Sequence, residues 1–200
     1  MSTQATPRLT PQDYLEQERK AEIKSEYLGG QIFAMSGGTR QHNLIAAHVL
    51  GELDSQLRDR DCEAYGGDMR VKVSATGLYA YPDVSAGCGE LSFEDDRQDV
   101  LLNPSLLVEV LSNSTGAYDR GDKSEHYRRL ESLKEYLLIS QKKMQVEHYA
   151  RQSDGQWLLS EANCPEDVVE LPSIICHLRL SDIYAKIRFE MNRAAGLDVD

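Results

Sequence analysis

Apolar residues recur along this chain with two different periods, which predicts alternating helices and strands. The opening segment has Thr10 at a suitable N-cap position, Pro11 in the first turn and Gly29-Gly30 as a stop signal. After a Gly-Gly turn, Thr39 can cap a long segment whose apolar positions follow the helical period. Helices are therefore predicted over 10–28, 40–59, 119–134 and near 181–192.

Short runs of aliphatic and β-branched residues between these helices are typical of strands. The run SLLVEVLS at 105–112 is apolar on both faces apart from one glutamate, which is typical of a central strand covered on both sides. In the second half of the chain, apolar and polar residues alternate, which is typical of strands in an antiparallel extension. Strands are predicted over 31–36, 69–75, 81–87, 105–112, 135–140, 144–151, 156–162 and 168–178, with an exposed acidic loop over 93–99.

This order of elements predicts an α/β fold with a central mixed β-sheet flanked by helices and an antiparallel C-terminal extension. The sequence shows no internal repeat and no low-complexity linker. We therefore expect one domain over 10–192, an N-terminal tail over 1–9 and a C-terminal tail over 193–200.

The composition is that of an ordinary globular protein, with 200 residues, 40% hydrophobic and 28% charged. Apolar runs are far shorter than the roughly 18 residues of a membrane span, and no signal-peptide pattern is present, so we expect a cytoplasmic protein. The four cysteines lack the spacing of a zinc site, and we expect reduced, mostly buried thiols. They are Cys62, Cys88, Cys164 and Cys176.

The formal net charge of −11 counts against nucleic-acid binding, which normally depends on Lys and Arg side chains that neutralise phosphates. A nucleic-acid partner would need a local basic patch or metal ions at the phosphate. Residues 120–143 contain seven Lys and Arg against four Asp and Glu, a local charge of +3. This patch is modest.

Two carboxylates stand in strand-like surroundings. Glu109 is the one ionisable residue of the run at 105–112, and Asp83 directly follows a proline, which favours a strand start or edge. A lone buried carboxylate is costly unless it is paired, protonated or bound to a metal. Two carboxylates on neighbouring strands could share a cation, and ligands that are all oxygen favour magnesium or manganese over zinc.

The helix predicted over 119–134 offers a positive charge to this pair. Lys123 and Tyr127 are four residues apart and therefore lie on the same helix face. The helix follows the Glu109 strand after a short loop, so Lys123 can fold back over the end of that strand.

Each of these residues also has a simpler structural explanation. Glu109 could reach solvent from an edge strand, and Asp83 could be a strand-start residue after proline. Lys123 could belong to a solvated helix face. Glu26 could be an ordinary acid at the end of the first helix, and His42 could have a capping role near the start of its own helix.

Several short motifs occur in a defined order along the chain. They are EYLGGQIFAMSG at 26–37 with His42 beyond it, PD at 82–83, LVEVLS at 107–112, then Asp119, Lys123 and Tyr127, and EYLLIS at 135–140. This ordered set resembles the Uma-type family of restriction endonucleases, a domain of unknown function abundant in cyanobacteria, and the similarity extends over roughly residues 10–190. The resemblance implies a restriction-endonuclease-like fold with the PD-(D/E)-x-K signature.

The resemblance also implies a metal site. Asp83 and Glu109 would be the two metal-holding carboxylates, and the main-chain carbonyl of Val110 would complete the shell. Glu26 would match an acid that some superfamily members present from their first helix, for a second ion or a water.

One position departs from the signature. Two residues after Glu109, where the signature has lysine, this chain has Leu111. The resemblance implies that Lys123, from the following helix, takes the place of that lysine. Tyr127 and His42 are possible accessory residues.

The function implied is hydrolysis of phosphodiester bonds in DNA or RNA by a Mg²⁺- or Mn²⁺-dependent endonuclease, with a homodimer expected because superfamily enzymes often pair to cut two strands. Two alternatives remain. A catalytically inactive protein could keep the nuclease fold for binding or assembly, which the net charge and Leu111 favour. A phosphohydrolase for small nucleotides would tolerate the acidic surface better.

Overall fold

The computed structural model describes residues 8–112 and 114–189, so the predicted tails lie outside the described residues except for residues 8 and 9. The helices are α1 (Pro11–Glu18), α2 (Arg40–Leu57), α3 (Gly116–Arg120), α4 (Asp122–Tyr127) and α5 (Leu180–Ile183). The strands are β1 (Ser25–Leu28), β2 (Gln31–Ala34), β3 (Cys62–Gly66), β4 (Arg70–Val73), β5 (Leu78–Ala80), β6 (Val84–Cys88), β7 (Val100–Leu101), β8 (Leu106–Leu111), β9 (Glu135–Ser140), β10 (Val146–Arg151), β11 (Trp157–Ala162), β12 (Val168–Leu171) and β13 (Cys176–Arg179).

The larger sheet has six strands in the order β11-β10-β9-β8-β6-β3. Strand β8 pairs in parallel with β9 and antiparallel with β6, and all six of its residues are buried, so the predicted central strand is confirmed. One face of this sheet packs against α2. That helix contributes a stripe of buried residues with a spacing of four: Ile45, Val49, Leu53 and Leu57.

The second sheet has five strands in the order β2-β1-β5-β4-β7. It covers the other face of β8, because Leu107 and Leu111 share a hydrophobic core with Val71 and Leu78. Residue Glu109 lies between these two leucines on the same face of β8 and therefore also points towards the five-stranded sheet. The two layers thus enclose the glutamate that the sequence singles out.

The predicted opening helix over 10–28 is too long, since α1 ends at Glu18 and the chain then forms β1. The glycines taken as a helix stop form the turn between β1 and β2. Gly29 has φ 60° and Gly30 has φ 89°. Positive φ at both central residues is what a two-residue hairpin turn requires, and glycine allows it without steric cost.

Two other predicted elements are interrupted. The helix over 119–134 is divided into α3 and α4 at Gly121, whose φ of −97° and ψ of −105° are not helical, and α4 ends at Tyr127. The strand over 168–178 is the β12–β13 hairpin, which turns at Pro172, a residue with no amide hydrogen to donate. The final helix predicted near 181–192 is the short α5, and 190–192 lie outside the described residues.

The cysteine prediction is wrong for two of the four residues. Cys62 and Cys88 face each other across the β3–β6 pair and form a disulfide, which joins strands 26 residues apart in sequence. Cys176 is a buried free thiol and Cys164 an exposed one. The spacing of these cysteines in the sequence did not indicate the pair, because Cys62 and Cys88 meet only through the register of β3 against β6.

In the described part of the chain, no helix combines the length and the apolar character required to cross a membrane.

Candidate active site

A cleft of about 2130 Å³ opens where the two sheets approach each other. Glu26 enters it from β1 of the five-stranded sheet and Glu109 from β8 of the six-stranded sheet. Lys123 enters from α4 and lies between these two carboxylates. They meet because each sheet supplies one carboxylate and the helix that follows β8 supplies the ammonium group.

Glu109 is at the buried end of the cleft, with only 5% of the residue exposed. Its Oε1 accepts a hydrogen bond from the Tyr127 hydroxyl at 3.0 Å and lies 2.9 Å from Lys123 Nζ. Burial raises the pKa of Glu109 well above its usual value, although Lys123 acts in the opposite direction. Glu109 is therefore not an edge-strand acid that reaches solvent.

The strand predicted over 81–87 begins later than expected, at Val84, so Asp83 lies just before β6 and not within it. Continuing the β6–β8 register by one step places it opposite Glu109. Its Oδ2 accepts a hydrogen bond from the Val110 amide at 2.7 Å. The same oxygen lies 3.2 Å from His42 Nε2, and this hydrogen bond raises the pKa of His42. Asp83 and Glu109 thus occupy adjacent positions on neighbouring strands, as the sequence predicts.

Lys123 is the centre of the cluster, and only 5% of its side chain is exposed. Its Nζ lies 2.8 Å from Glu26 Oε1, 2.9 Å from Glu109 Oε1 and 3.9 Å from Asp119 Oδ1. Although burial alone would lower the pKa of Lys123, the three carboxylates raise it well above the usual lysine value. Lys123 is therefore a charged, buried residue and does not belong to a solvated helix face.

Glu26 is buried, but it lies on β1 rather than on the first helix, where the sequence placed it. The Tyr81 amide donates to its Oε1 at 3.2 Å, which fixes the carboxylate towards Lys123. The physical reason for the wrong placement is the early end of α1, which leaves residues 25–28 free to pair with β2 and β5.

Asp119 belongs to the cluster although it was not selected as a site residue from the sequence. It is 3% exposed, on α3, four residues before Lys123. Burial raises the pKa of Asp119, with Lys123 acting in the opposite direction. The signal in the sequence was the spacing of four residues from Lys123, but no aliphatic run surrounds Asp119 to indicate burial.

Two accessory residues are also placed here. His42 is in the first turn of α2, and its amide donates to the capping Thr39 hydroxyl at 3.1 Å, so its backbone completes the cap while its ring reaches Asp83. Tyr127 is completely buried against Glu109. The carbonyl role predicted for Val110 stays a prediction, since it is the amide of Val110 that contacts Asp83.

The charges of this cluster suit a divalent cation. Three buried carboxylates, Glu26, Glu109 and Asp119, surround the ammonium group of Lys123, and Asp83 lies nearby against His42, so carboxylates outnumber basic groups. Among the described residues no three acidic, histidine or cysteine side chains are arranged as a ready metal shell, because Lys123 separates Glu26 from Glu109. The pair Asp83 and Glu109 fits a hard cation by its oxygen donors.

Comparison with known proteins is consistent with this architecture. Residues 11–181 match the Uma2 family model, described as "Putative restriction endonuclease". Two proteins of Synechocystis sp. (strain ATCC 27184 / PCC 6803 / Kazusa) are similar. "Uncharacterized protein sll1609" is 38% identical over 161 residues, 80% of this chain and 91% of its own length. "Uncharacterized protein slr1290" is 36% identical over 185 residues, 92% of this chain and 95% of its own.

A solved structure is also similar, that of "a putative nuclease belonging to DUF820 from Anabaena variabilis ATCC 29413". The TM-score is 0.71 at 19% identity, with 86% of this chain and 96% of that chain covered, so the likeness concerns the fold. The predicted restriction-endonuclease-like fold is confirmed. Since the family model spans most of the residues, the predicted family is confirmed as well, and the chain belongs to the Uma2 family.

Proposed function

We propose that this protein is a divalent-metal-dependent nuclease that hydrolyses phosphodiester bonds in nucleic acid at the carboxylate cluster around Lys123. One observation supports the proposal above all. A fully buried ammonium contacts carboxylates from both sheets at the bottom of an open cleft, next to the Asp83–Glu109 pair. The family description and the name of the Anabaena relative, a nuclease, agree with it.

Asp83 and Glu109 would hold the metal ion, together with the carbonyl of Val110. Mg²⁺ or Mn²⁺ suits these donors, because both prefer carboxylate and carbonyl oxygen to nitrogen or sulfur. When bound, such an ion polarises a phosphoryl oxygen and lowers the pKa of a coordinated water. It would also offset the repulsion from Asp83, which adds to burial in raising the pKa of Glu109.

The chain's own residues would prepare the reacting phosphate. Lys123 holds a fixed positive charge in a desolvated position, where it stabilises negative charge that develops on a phosphoryl group. Tyr127 donates a hydrogen bond to Glu109 and so fixes the orientation of that carboxylate. His42 contacts Asp83 Oδ2 through its Nε2 and so fixes the orientation of that carboxylate. Both are positioning residues, because each acts through a carboxylate.

The alternatives explain these observations less well. A pocket for a small ligand has a volume of roughly 300–1,000 Å³. The present cleft, at about 2130 Å³, has room for several nucleotides, which favours a polymer over a small nucleotide. A protein that only binds or assembles would gain nothing from the desolvation of four carboxylates and a lysine, since buried charges are costly.

The test is cleavage by the purified protein. Plasmid, single-stranded DNA, RNA and nucleotides are each incubated with Mg²⁺ or Mn²⁺ and with EDTA. We expect metal-dependent cleavage of a polynucleotide that falls at least a hundredfold in Asp83→Asn and in Glu109→Gln. The matched control is Glu166→Gln, which removes an exposed carboxylate outside the cleft and should leave the rate unchanged.

Thermal unfolding with and without metal separates the remaining outcomes. A metal-induced rise in Tm that disappears in Asp83→Asn supports binding at the proposed pair. Cleavage that persists equally in both site variants would contradict the proposal, and so would a folded, metal-binding protein that cleaves none of the four substrates.

A further inference from the structure

We propose that Phe33 is a base-stacking residue and that the substrate of this site is a single-stranded segment of nucleic acid. This inference rests on the proposed function and adds the form of the substrate to it. The ligand chemistry is shared by single-stranded DNA and RNA, namely an unpaired base followed by phosphates.

The position of Phe33 follows from strand register. In the β1–β2 hairpin, Phe33 is paired directly with Glu26. Residues directly opposite each other in an antiparallel pair project on the same face of the sheet. Glu26 contacts Lys123, so Phe33 projects beside the proposed reaction centre, one strand spacing of about 5 Å further out. Both side chains line the cleft.

Phe33 is 49% exposed although it is a large apolar side chain. Strand β2 is the edge of its sheet, and all four of its residues are exposed. Its neighbour Ile32 is exposed to a similar extent, 45%, but projects on the opposite face and does not line the cleft. The strand therefore offers an aromatic face to the cleft and an aliphatic side chain away from it, which provides a matched control.

Two exposed lysines also line the cleft. Lys142 and Lys143 are exposed in the turn after β9, and both line the cleft. Their amides donate to the Ser140 hydroxyl at 3.2 and 3.3 Å, while the adjacent Gln141 amide group donates to the Leu111 carbonyl at 2.9 Å. The turn is thereby attached to the end of β8, two residues beyond Glu109.

Each of these two features lies one strand away from a glutamate of the cluster. Phe33 is one strand outside Glu26 in the five-stranded sheet, and the lysine turn follows β9, one strand outside Glu109 in the six-stranded sheet. Lys123 joins the two glutamates. A nucleotide strand that occupies the cleft would therefore have both an aromatic ring and two ammonium groups along its walls.

This arrangement favours an unpaired strand over a duplex. A ring can stack only on a base face that is open, and in a duplex both faces of an internal base are already covered. Stacking also supplies affinity that does not depend on charge, which matters for a chain with a net charge of −11. Other cleft cations are paired internally, Lys24 with Asp68 and Arg120 with Glu147.

The experiment measures binding by fluorescence anisotropy, with Ca²⁺ in place of Mg²⁺, to a labelled single-stranded DNA of about 12 nucleotides, the RNA of the same sequence and the corresponding DNA duplex. Since stacking contributes about 1–3 kcal/mol per base, Phe33→Ala should weaken single-strand binding about tenfold or more. Phe33→Trp should retain the affinity, and Ile32→Ala should leave it unchanged. The DNA and RNA arms show whether the sugar matters.

Salt dependence distinguishes the ring from the lysines. Replacement of Lys142 and Lys143 by alanine should reduce the slope of log affinity against log salt by about 1 to 2, whereas Phe33→Ala should leave that slope unchanged. Preferred binding of the duplex, or equal behaviour of Phe33→Ala and Ile32→Ala, would overturn the inference.

Failure of the inference can be told from failure of the proposed function. If cleavage depends on Asp83 and Glu109 but Phe33→Ala binds and cleaves single strands normally, the inference alone fails. If no substrate is cleaved while Phe33→Ala still weakens single-strand binding, the stacking site stands and the hydrolytic role fails.

Discussion

At the scale of single residues, the sequence was informative where a charge interrupts an apolar run. Glu109 was identifiable because a carboxylate among aliphatic residues needs a partner, and the structure provides that partner in Lys123. Asp119 was not identifiable in the same way, because it does not interrupt an aliphatic run and its burial results from the packing of α3 against β8. Periodicity reveals burial only where the surrounding residues are themselves apolar.

Replacement of Lys123 by methionine tests the balance of charge. The variant keeps most of the side-chain volume but leaves Glu26, Glu109 and Asp119 without their shared cation. We expect a loss of about 3–5 kcal/mol in the free energy of unfolding without metal, since breaking a buried ion pair leaves uncompensated charge. Urea denaturation in EDTA measures it.

The control is the double variant Lys123→Met with Glu26→Gln. It removes one of the repelling carboxylates while keeping an oxygen that can accept from the Tyr81 amide. Because the two residues are in contact, their effects should not add, and the double variant should be about 1–2 kcal/mol more stable than Lys123→Met alone. Strict additivity would show that the two side chains are not coupled.

At the scale of elements, the long, strongly patterned segments were predicted correctly, whereas some ends and interruptions were wrong and the short strands β3, β5 and β7 were not predicted. Strand β9 has its predicted bounds, and α2 is shorter than predicted by two residues. The Gly29-Gly30 pair allows either a helix stop or a hairpin turn, and the choice depends on whether β1 finds a partner in β5. That pairing is tertiary, so local sequence could not determine it.

The β12–β13 turn contains a residue that is poorly suited to its backbone. Ile175 has φ 51° and is 78% exposed, so its β-branched side chain adds strain and little burial. Ile175→Gly should raise the free energy of unfolding by about 1 kcal/mol, or Tm by about 3 °C, in differential scanning calorimetry. Ile23→Gly, at another exposed isoleucine without positive φ, should not stabilise. Equal shifts in the two variants would contradict the strain argument.

At the scale of the whole molecule, the site could be predicted only in part, because it is assembled from both sheets and three helices. The adjacency of Asp83 and Glu109 was predictable from two neighbouring strands, but the approach of Glu26 depends on how the five-stranded sheet lies over the six-stranded one. The net charge of −11 is a sum over the whole chain and could not indicate that Lys123 is buried among carboxylates. Global composition is a poor guide to a desolvated centre.

A second ionic network ties distant parts of the chain together and makes stability depend on pH. Asp99 accepts hydrogen bonds from Arg19 at 2.9 and 2.6 Å and pairs with the buried Arg70. The hydrogen bonds from Arg19 lower the pKa of Asp99, with Arg70 adding to the effect and burial opposing it. The folded pKa is below the unfolded one, so this contribution is fully present above the unfolded value, near 4, and is lost as the pH falls through the folded value.

Asp99→Asn should therefore cost about 1–2 kcal/mol of unfolding free energy at pH 7. The difference from the unmodified protein should narrow as the pH falls from 4 towards 2. Urea titrations at a series of pH values measure both. A difference that stays constant over this range would mean that the carboxylate's charge does not contribute.

Lys123, whose ammonium group contacts one glutamate from each sheet, affects how conservation in relatives of this chain should be interpreted. Since its removal would leave Glu26 and Glu109 with uncompensated buried charge, a homologue that no longer hydrolyses a substrate but keeps both glutamates would still need this lysine for stability. The presence of Lys123 in homologues would then reflect the stability of the fold rather than catalysis. Phe33, on the exposed edge strand β2, does not hold the sheets together. Its presence or absence would therefore be the better guide to which family members still act on a substrate.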